Sequence, residues 1–496
     1  MTIRWTPLRF LPALLLACAL LPSPPARADE DDTRYLLDQA GRIGRQRDGG
    51  AGALAPHPGG LVLTIEGQAY RVNPTLQDLE PALYVAINRG QWGEARALAD
   101  SYRRLAGHKP HLVLLADGLA ARAEGDYGQA IGLLEDARDA APGDARTQME
   151  LARAYAEDGQ DRESRALFEQ AIGNSLPPDT RQLLQRYVDA VDRRGDWQGS
   201  IAVGRGHNDN INQANGFEQC SMYFLTLCLA RLKLPDPIAS SFTRYDLVLS
   251  RRIALAGHHN LLLRPVSYGT FYQETAPQGR AIEDYSQQTH VLYAGYQYTD
   301  ARQKFSLLPF MELYARDGHT HYQAPGLQAE WSRALTPGLR LTARASVKRY
   351  AYKEQDSRYF SDYTQKAAGL EIAWMPTAHT SLQAGIDFTR RKYPMPTESG
   401  KDLAVRAGVF HAFEQSGAFV NLLALYRVSR NDERDFFLGV RRRDEQQLYI
   451  ATLGSTRLSV WGVHPELRFK HVVNHSNSIF YGYSQNEVSL QLRKNF

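Results

Sequence analysis

Residues 339–348 read Leu-Arg-Leu-Thr-Ala-Arg-Ala-Ser-Val-Lys, so that every odd-numbered residue is apolar and every even-numbered residue is polar. Successive side chains of a β-strand point to opposite faces, so this stretch has one face suited to lipid and one suited to water. Residues 382–389, Leu-Gln-Ala-Gly-Ile-Asp-Phe-Thr, alternate in the same way, with the apolar residues at the even-numbered positions. Segments of about ten such residues recur from residue 199 to the end of the sequence, and they predict tilted transmembrane strands.

The connections between these segments alternate in length. The predicted short turns are residues 256–259, 299–301, 336–338, 376–379, 414–417 and 454–456. The predicted long connections are roughly residues 207–238, 273–286, 315–321, 353–362, 392–401, 429–444 and 474–485. This alternation is typical of an antiparallel barrel with tight periplasmic turns and long external loops, and it predicts fourteen strands.

Tyrosine is concentrated in the same part of the chain. Of the 26 Tyr residues, 19 lie in residues 199–496. Several of them fall near predicted strand ends, including Tyr296, Tyr298, Tyr350 and Tyr352. Aromatic girdles mark both membrane interfaces of outer-membrane barrels, so we expect these side chains to face the interfaces.

A helical repeat precedes the barrel. From about residue 76 the sequence recurs at close to 34 residues, the period of the helix-turn-helix tetratricopeptide unit. In the clearest copy, residues 111–144, Gly118 is expected where two helices approach closely, residues 125–127 form the turn, and Pro142 follows the second helix. Repeats of this kind stack into a curved surface that binds proteins or extended segments.

The N-terminus predicts export. Arg4 and Arg9 precede an apolar run over residues 10–21, and Ala-Arg-Ala at residues 26–28 fits a signal-peptide cleavage site. A lipoprotein signal with Cys18 as the lipidated residue is the alternative. Beyond this signal no run of about 18 apolar residues follows, so a membrane crossing must rest on strands.

These features predict a multidomain α + β chain in the outer membrane. Residues 47–60 are rich in Gly, Pro and Ala and read as a linker between a short helical pattern and a strand-like stretch. The predicted parts are a signal peptide (1–28), an N-terminal segment and linker (29–75), a periplasmic tetratricopeptide repeat domain (76–198) and an outer-membrane β-barrel (199–496).

The two halves of the exported chain differ in charge. Residues 29–198 carry 20 Lys and Arg against 28 Asp and Glu, whereas residues 199–496 carry 35 against 26. Halves of opposite charge indicate two different environments. The basic residues of the second half are spaced through strands rather than gathered in a patch, so we expect no nucleic-acid partner.

The most distinctive local motif is Asn-Asp-Asn-Ile-Asn at residues 208–212. Asn and Asp side chains bond to nearby backbone groups, so the motif could build a rigid loop at the end of the first strand. The alternative is a substrate-binding site made by Asn208, Asp209, Asn210 and Asn212. The sequence leaves both interpretations open.

Cys220 and Cys228 are the two cysteines that follow the predicted signal peptide. An even number of cysteines in an oxidising compartment favours a possible disulfide. Two unpaired thiols in a loop are the alternative.

No group of side chains predicts catalysis. His475, Ser476 and Asn477 are the residue types of an outer-membrane phospholipase, but neighbouring strand residues point to opposite faces and cannot readily form a nucleophile–base pair. His258 and His259 have no carboxylate or thiolate at metal-ligand spacing, and no phosphate-binding glycine loop is present. We expect no enzymatic activity, no metal and no cofactor.

The repeat domain, the passage from Trp197 through Val203 and Gly204 to residues 208–212, and the fourteen-strand barrel ending at Phe496 resemble the surface lipoprotein assembly modulators, or Slam proteins. The resemblance covers about residues 61–496. It implies that the barrel moves a cognate surface lipoprotein, or a secreted haem- or metal-acquisition protein, across the outer membrane, and that the repeats help to receive it. Further expected partners are outer-membrane lipid, periplasmic chaperones and the barrel assembly machinery.

Two other functions fit the same architecture. An exopolysaccharide export porin also joins tetratricopeptide repeats to a barrel, although such porins are larger and have more repeats. A host-interaction adhesin would use the external loops.

Overall fold

The computed structural model describes residues 31–39, 62–65, 68–173, 178–273, 285–435 and 439–496. The predicted signal peptide and the predicted linker at residues 47–60 lie outside the described residues.

Eight helices and one small hairpin make up the described residues before the barrel. Helix α1 covers residues 31–39, and strands β1 and β2 pair antiparallel before α2 begins. The bounds are β1 Val62–Ile65, β2 Gln68–Arg71, α2 Leu76–Asn88, α3 Trp92–Tyr102, α4 Pro110–Ala123, α5 Tyr127–Ala140, α6 Ala145–Glu157, α7 Asp161–Ile172 and α8 Pro178–Asp192.

Helices α2 to α8 pack in sequence, each against the next. Gly118 lets α4 and α5 approach each other closely, because a Cβ atom there would lie 2.8 Å from Cγ of Leu134. Gly125 has a positive φ of 76° in the turn, and Asp126 caps α5 by accepting a hydrogen bond from the backbone N–H of Gln129 at 3.1 Å. The predicted helical repeat is confirmed.

Fourteen strands close into an antiparallel barrel, as predicted. Strand β18 completes it by pairing with β3, from Asn495 opposite Ser200 to Glu487 opposite Asn208. The barrel strands are β3 Gln198–Asn208, β6 Ser240–Ala256, β7 His259–Tyr272, β8 Gln287–Thr299, β9 Gln303–Arg316, β10 His319–Thr336, β11 Leu339–Tyr352, β12 Tyr363–Thr377, β13 Thr380–Lys392, β14 Gly400–Phe413, β15 Ala418–Asn431, β16 Arg443–Ser455, β17 Val463–Ser476 and β18 Tyr483–Asn495.

The strands present apolar side chains outward and polar side chains inward. On β13, Ile386 and Phe388 are 46% and 47% exposed, whereas Asp387 between them is buried. The outer face meets lipid. Because of the alternation, the polar side chains on the other face of each strand point into the barrel.

Two connections differ from the predicted pattern. Strands β9 and β10 are joined by a two-residue turn at Asp317 and Gly318, where a long connection was expected. Both residues have positive φ, 51° and 70°, and an Asp-Gly pair is a favoured sequence for such a tight hairpin turn. Conversely, residues 456–462 make a longer connection between β16 and β17 than the expected short turn.

The first connection after β3 contains its own hairpin, formed by β4 (Glu218–Phe224) and β5 (Leu227–Lys233). In the described residues, no helix combines the length and apolar character that a membrane span requires.

The prediction that Tyr350 belongs to an interface girdle is wrong. Its side chain is buried, 4.9 Å from the ring of Tyr322 and stacked at 4.1 Å on the ring of Tyr363. The reason is strand parity, since Tyr350 lies on the same face of β11 as the inward-facing Lys348. Tyr296, by contrast, is 38% exposed on the outer surface, as a girdle residue would be.

Candidate functional site

The inner wall of the barrel carries a network of buried and partly buried ion pairs across strands β10 to β14. Arg406 donates hydrogen bonds to Glu371 at 2.6 Å and to Asp387. Arg344 donates from Nε to Glu330 at 3.1 Å and lies 3.5 Å from Glu371. Because a buried charge is costly unless it is paired, these side chains fix one another and the local shape of the lumen.

A second network joins strands β6, β17 and β18. Arg493 donates from Nε to Glu466 at 2.8 Å and approaches Asp246 at 3.7 Å, while Arg244 pairs with Glu487. All of these groups are buried. The lumen is therefore strongly polar and contains acids and bases together.

Helix α1 lies inside the barrel, which the sequence did not predict. Thr33 hydrogen-bonds to the hydroxyl of Tyr268 on β7 at 2.7 Å, and Tyr35 to Thr452 on β16 at 3.2 Å. Leu36 is 2% exposed and packs in an apolar cluster with side chains of the barrel wall. The helix thus bridges different parts of the wall and occupies the interior.

Beside α1 is a cavity of about 170 Å³. Tyrosine side chains dominate part of its lining, namely Tyr314, Tyr322, Tyr350, Tyr363 and Tyr393. Four residues of α1, Asp31, Thr33, Arg34 and Leu37, line it as well. The interior space that remains around α1 is therefore both polar and aromatic.

The repeat domain is fastened to the barrel by buried acids at the junction of α6 and α7. Asp161 accepts hydrogen bonds from Arg252 on β6 and from Arg194 at 2.9 Å. Asp158 lies 2.7 Å from Nε2 of His258, in the turn between β6 and β7. These contacts place the helical repeats at the short-turn end of the barrel.

The turn between β8 and β9 makes a second contact with the repeats. Arg302 donates a hydrogen bond to the backbone carbonyl of Gly125 at 3.0 Å. Burial favours a higher pKa for Asp300, but backbone N–H groups of Arg302 and Gln303, each at 2.8 Å, stabilise its carboxylate and hold its pKa below the ordinary value. The ionised carboxylate therefore holds the turn in the shape that presents Arg302 to the repeats.

The motif at residues 208–212 lies at the opposite end of β3, next to β18. Asn208 and Asn210 are each 2% exposed. Asn210 donates hydrogen bonds to the backbone carbonyls of Ala214 at 2.7 Å and Ser484 at 2.8 Å, and so ties the first external connection to the last strand.

The other two members of the motif also bond within the protein. Both carboxylate oxygens of Asp209 accept hydrogen bonds from Asn486, each at 2.7 Å. Asn212 donates to the backbone carbonyl of Asp236 at 2.9 Å. The geometry favours the rigid-loop interpretation, and substrate contact stays a prediction.

Cys220 and Cys228 face each other across the β4–β5 hairpin, with their Cα atoms 5.9 Å apart. This separation suits a disulfide. The described residues contain no cluster of three or more His, Cys, Asp or Glu side chains arranged to hold a metal ion.

The disulfide can be tested on intact cells. We expect a membrane-impermeant thiol reagent to label Cys220 and Cys228 only after reduction, because a bridged pair has no free thiolate. Mass-tag shifts on a gel give the readout, and the double variant Cys220→Ser/Cys228→Ser gives the background. Labelling before reduction would contradict the bridge.

The chain matches known protein families over both of its parts. Residues 197–496 match the model of the surface lipoprotein assembly modifiers, and residues 63–168 match the model of the N-terminal tetratricopeptide repeats of the same family. The hemophilin secretion modulator of Acinetobacter baumannii is 25% identical over 97% of this chain and 99% of its own. Surface lipoprotein assembly modifier 1 of Neisseria meningitidis serogroup B is 26% identical over 88% of this chain and 86% of its own. The chain therefore belongs to the surface lipoprotein assembly modifier family.

Proposed function

We propose that this protein is an outer-membrane translocator that delivers a cognate protein to the cell surface. The observation that carries the proposal is the attachment of a helical repeat domain to the short-turn mouth of a closed barrel, through Asp161 with Arg252 and Asp158 with His258. A solenoid is suited to binding a polypeptide, and its fixed position would deliver that polypeptide to the lumen.

The cargo in this proposal is a surface lipoprotein or a secreted haem- or metal-acquisition protein. The names of the two relatives, a surface lipoprotein assembly modifier and a hemophilin secretion modulator, support these two classes. The chain acts without catalysis in this scheme. Periplasmic chaperones and the barrel assembly machinery are its further proposed partners.

Deleting the whole gene tests this function. We expect the cargo, encoded by a neighbouring secreted-protein gene, to remain in the periplasm of the deletion strain and to regain surface exposure on complementation. Protease shaving of intact cells is the assay, with a periplasmic protein as the control for leakage.

If cargo reaches the surface equally well in the deletion strain, translocation is wrong. Loss of surface polysaccharide would then favour the export porin, and loss of host-cell adhesion with normal cargo exposure would favour the adhesin.

The substrate-binding prediction for the Asn motif can be separated from loop rigidity. Asp209 is exposed and Asn210 is buried, so we expect Asp209→Ala to lower surface cargo while the barrel keeps its resistance to SDS. Asn210→Ala should lower both surface cargo and SDS resistance, because the backbone carbonyls of Ala214 and Ser484 lose their hydrogen-bond donor, at a cost of about 1–3 kcal/mol. The exposed Asn215 in the same loop supplies a matched control, Asn215→Ala. If Asp209→Ala leaves surface exposure of the cargo unchanged, the motif stabilises the loop and does not bind substrate.

A further inference from the structure

Helix α1 places acidic side chains directly against basic side chains of the barrel wall. Asp31 accepts a hydrogen bond from Arg427 on β15. Asp32 lies 3.2 Å from Arg468 and 3.4 Å from Lys470, both on β17. We refer to Arg427, Arg468 and Lys470 as the basic site. Since Arg468 and Lys470 are two residues apart on one strand, both point into the lumen.

Lys470 and Arg468 differ from Arg344 in the carboxylates that the wall supplies to them. Arg344 contacts α1 too, but it has Glu330 of the wall at 3.1 Å. Among the described residues, Lys470 forms an ion pair only with the carboxylate that α1 supplies. Arg468 reaches the wall carboxylate of Asp246 only at 4.0 Å. For Lys470 and Arg468, the closest carboxylate among the described residues that forms an ion pair therefore comes from α1 and not from the wall.

The side chains of Arg468 and Lys470 are buried, so they depend strongly on the carboxylate of Asp32. Arg468 and Lys470 are 3% and 7% exposed with α1 in place. A buried cation is unfavourable unless it is paired, so this part of the lumen favours a segment that brings carboxylates to it. The ring of Tyr35 adds to the fit, lying 5.0 Å from the guanidinium of Arg468.

The number of residues between α1 and β1 does not by itself tie α1 to one position. Residues 40–61 separate it from β1. At roughly 3.5 Å per extended residue, these 22 residues reach up to about 75 Å, more than the roughly 30 Å thickness of the hydrocarbon core. A helix as short as α1 is also marginal in water, so its order depends on the lumen contacts.

We propose that Arg427, Arg468 and Lys470 form a binding site for an acidic polypeptide segment, that α1 occupies this site at rest, and that an acidic segment of the cargo replaces it during transport. The last step rests on the proposed translocation function. The first two concern the protein alone. The resident helix thus keeps the lumen filled until a competing segment arrives.

Conductance of the purified full chain in planar lipid bilayers tests the site without cargo. The variant Asp31→Asn/Asp32→Asn/Asp38→Asn removes the carboxylates of α1, and we expect its conductance to rise several-fold above that of the parent. The probe is a synthetic peptide with the sequence of residues 31–39. It should block the raised conductance, and a peptide with the three aspartates replaced by asparagine should bind about ten-fold more weakly for each charge pair removed.

A second variant locates the peptide. Adding Arg468→Gln/Lys470→Gln to the asparagine variant should abolish block by the acidic peptide, whereas adding Lys401→Gln on the outer face of β14 should leave it unchanged. SDS resistance before heating confirms that each variant is folded.

An unchanged conductance in the asparagine variant, or equal block by the two peptides, would overturn the proposal. The peptide comparison uses only the asparagine variant, so it decides the matter even if the double glutamine variant does not fold. Charge-specific block in a protein that fails to deliver cargo in cells would support the site and refute the translocation function separately.

Discussion

Deleting residues 76–194 is expected to leave an inserted barrel and to reduce surface exposure of the cargo nearly to that of the whole-gene deletion. The barrel should survive because its strands close without the repeats, and the freed partners Arg252 and His258 lie at the short-turn end, where water can solvate them. Losing a tethered receiving domain lowers the local cargo concentration, an effect that is commonly ~10²-fold or more. Protease shaving measures surface cargo, and SDS resistance before heating reports the folded barrel.

A double substitution tests whether the repeats must be attached to the barrel. Asp158→Asn/Asp161→Asn keeps the repeat domain but removes the charges that pair with the barrel, and we expect surface cargo to fall partway. Asp179→Asn, on the exposed start of α8, is the matched control. Undiminished surface cargo in the full deletion would refute the receiving role of the repeats.

Arg406→Ala is expected to give the largest loss of stability among single substitutions in the lumen. Its guanidinium contacts Glu371 and Asp387 and lies 3.9 Å from Asp38 of α1. Removing one partner of a buried ion pair commonly costs about 3–5 kcal/mol, because the carboxylates stay buried with less compensating charge. Among the described residues, Asp387 would keep only Arg34 at 2.6 Å, and Glu371 only Arg344 at 3.5 Å. Urea unfolding in detergent, followed by the gel shift between folded and unfolded forms, measures the change.

Two further variants separate lost charge from lost packing at this position. Arg406→Lys should restore part of the stability, since it keeps the charge but cannot hold both carboxylates in the same geometry. Lys401→Ala, on the outer face of the same strand, should change the free energy of unfolding by less than about 1 kcal/mol. Equal effects of Arg406→Ala and Lys401→Ala would show that the lumen network contributes little.

Most of the fold prediction rests on the alternation of apolar and polar side chains along the strands. In residues 339–348 the parity of the strand alone predicts that Arg344 and Lys348 face inward, and both do. The same parity places Tyr350 inward, so strand direction outweighs proximity to a strand end at this position. The pair Asp317-Gly318 is also a local sequence signal, because Asp-Gly is typical of tight hairpin turns. Both residues adopt positive φ angles, which permits the two-residue connection.

The sequence by itself determined the helical repeat, the fourteen-strand barrel and their order, because periodicity and turn residues act over neighbouring positions. Only the tertiary structure decided what fills the barrel and where the repeats attach. Asp32 meets Lys470 across more than 400 positions, as Asp158 meets His258 across 100. Such pairs cannot be predicted from neighbouring residues. An acidic residue in a polar helix has the same local sequence whether its side chain contacts water or a cation of the lumen. Barrel closure brings the partners together, and the cost of burying an unpaired charge then holds them there.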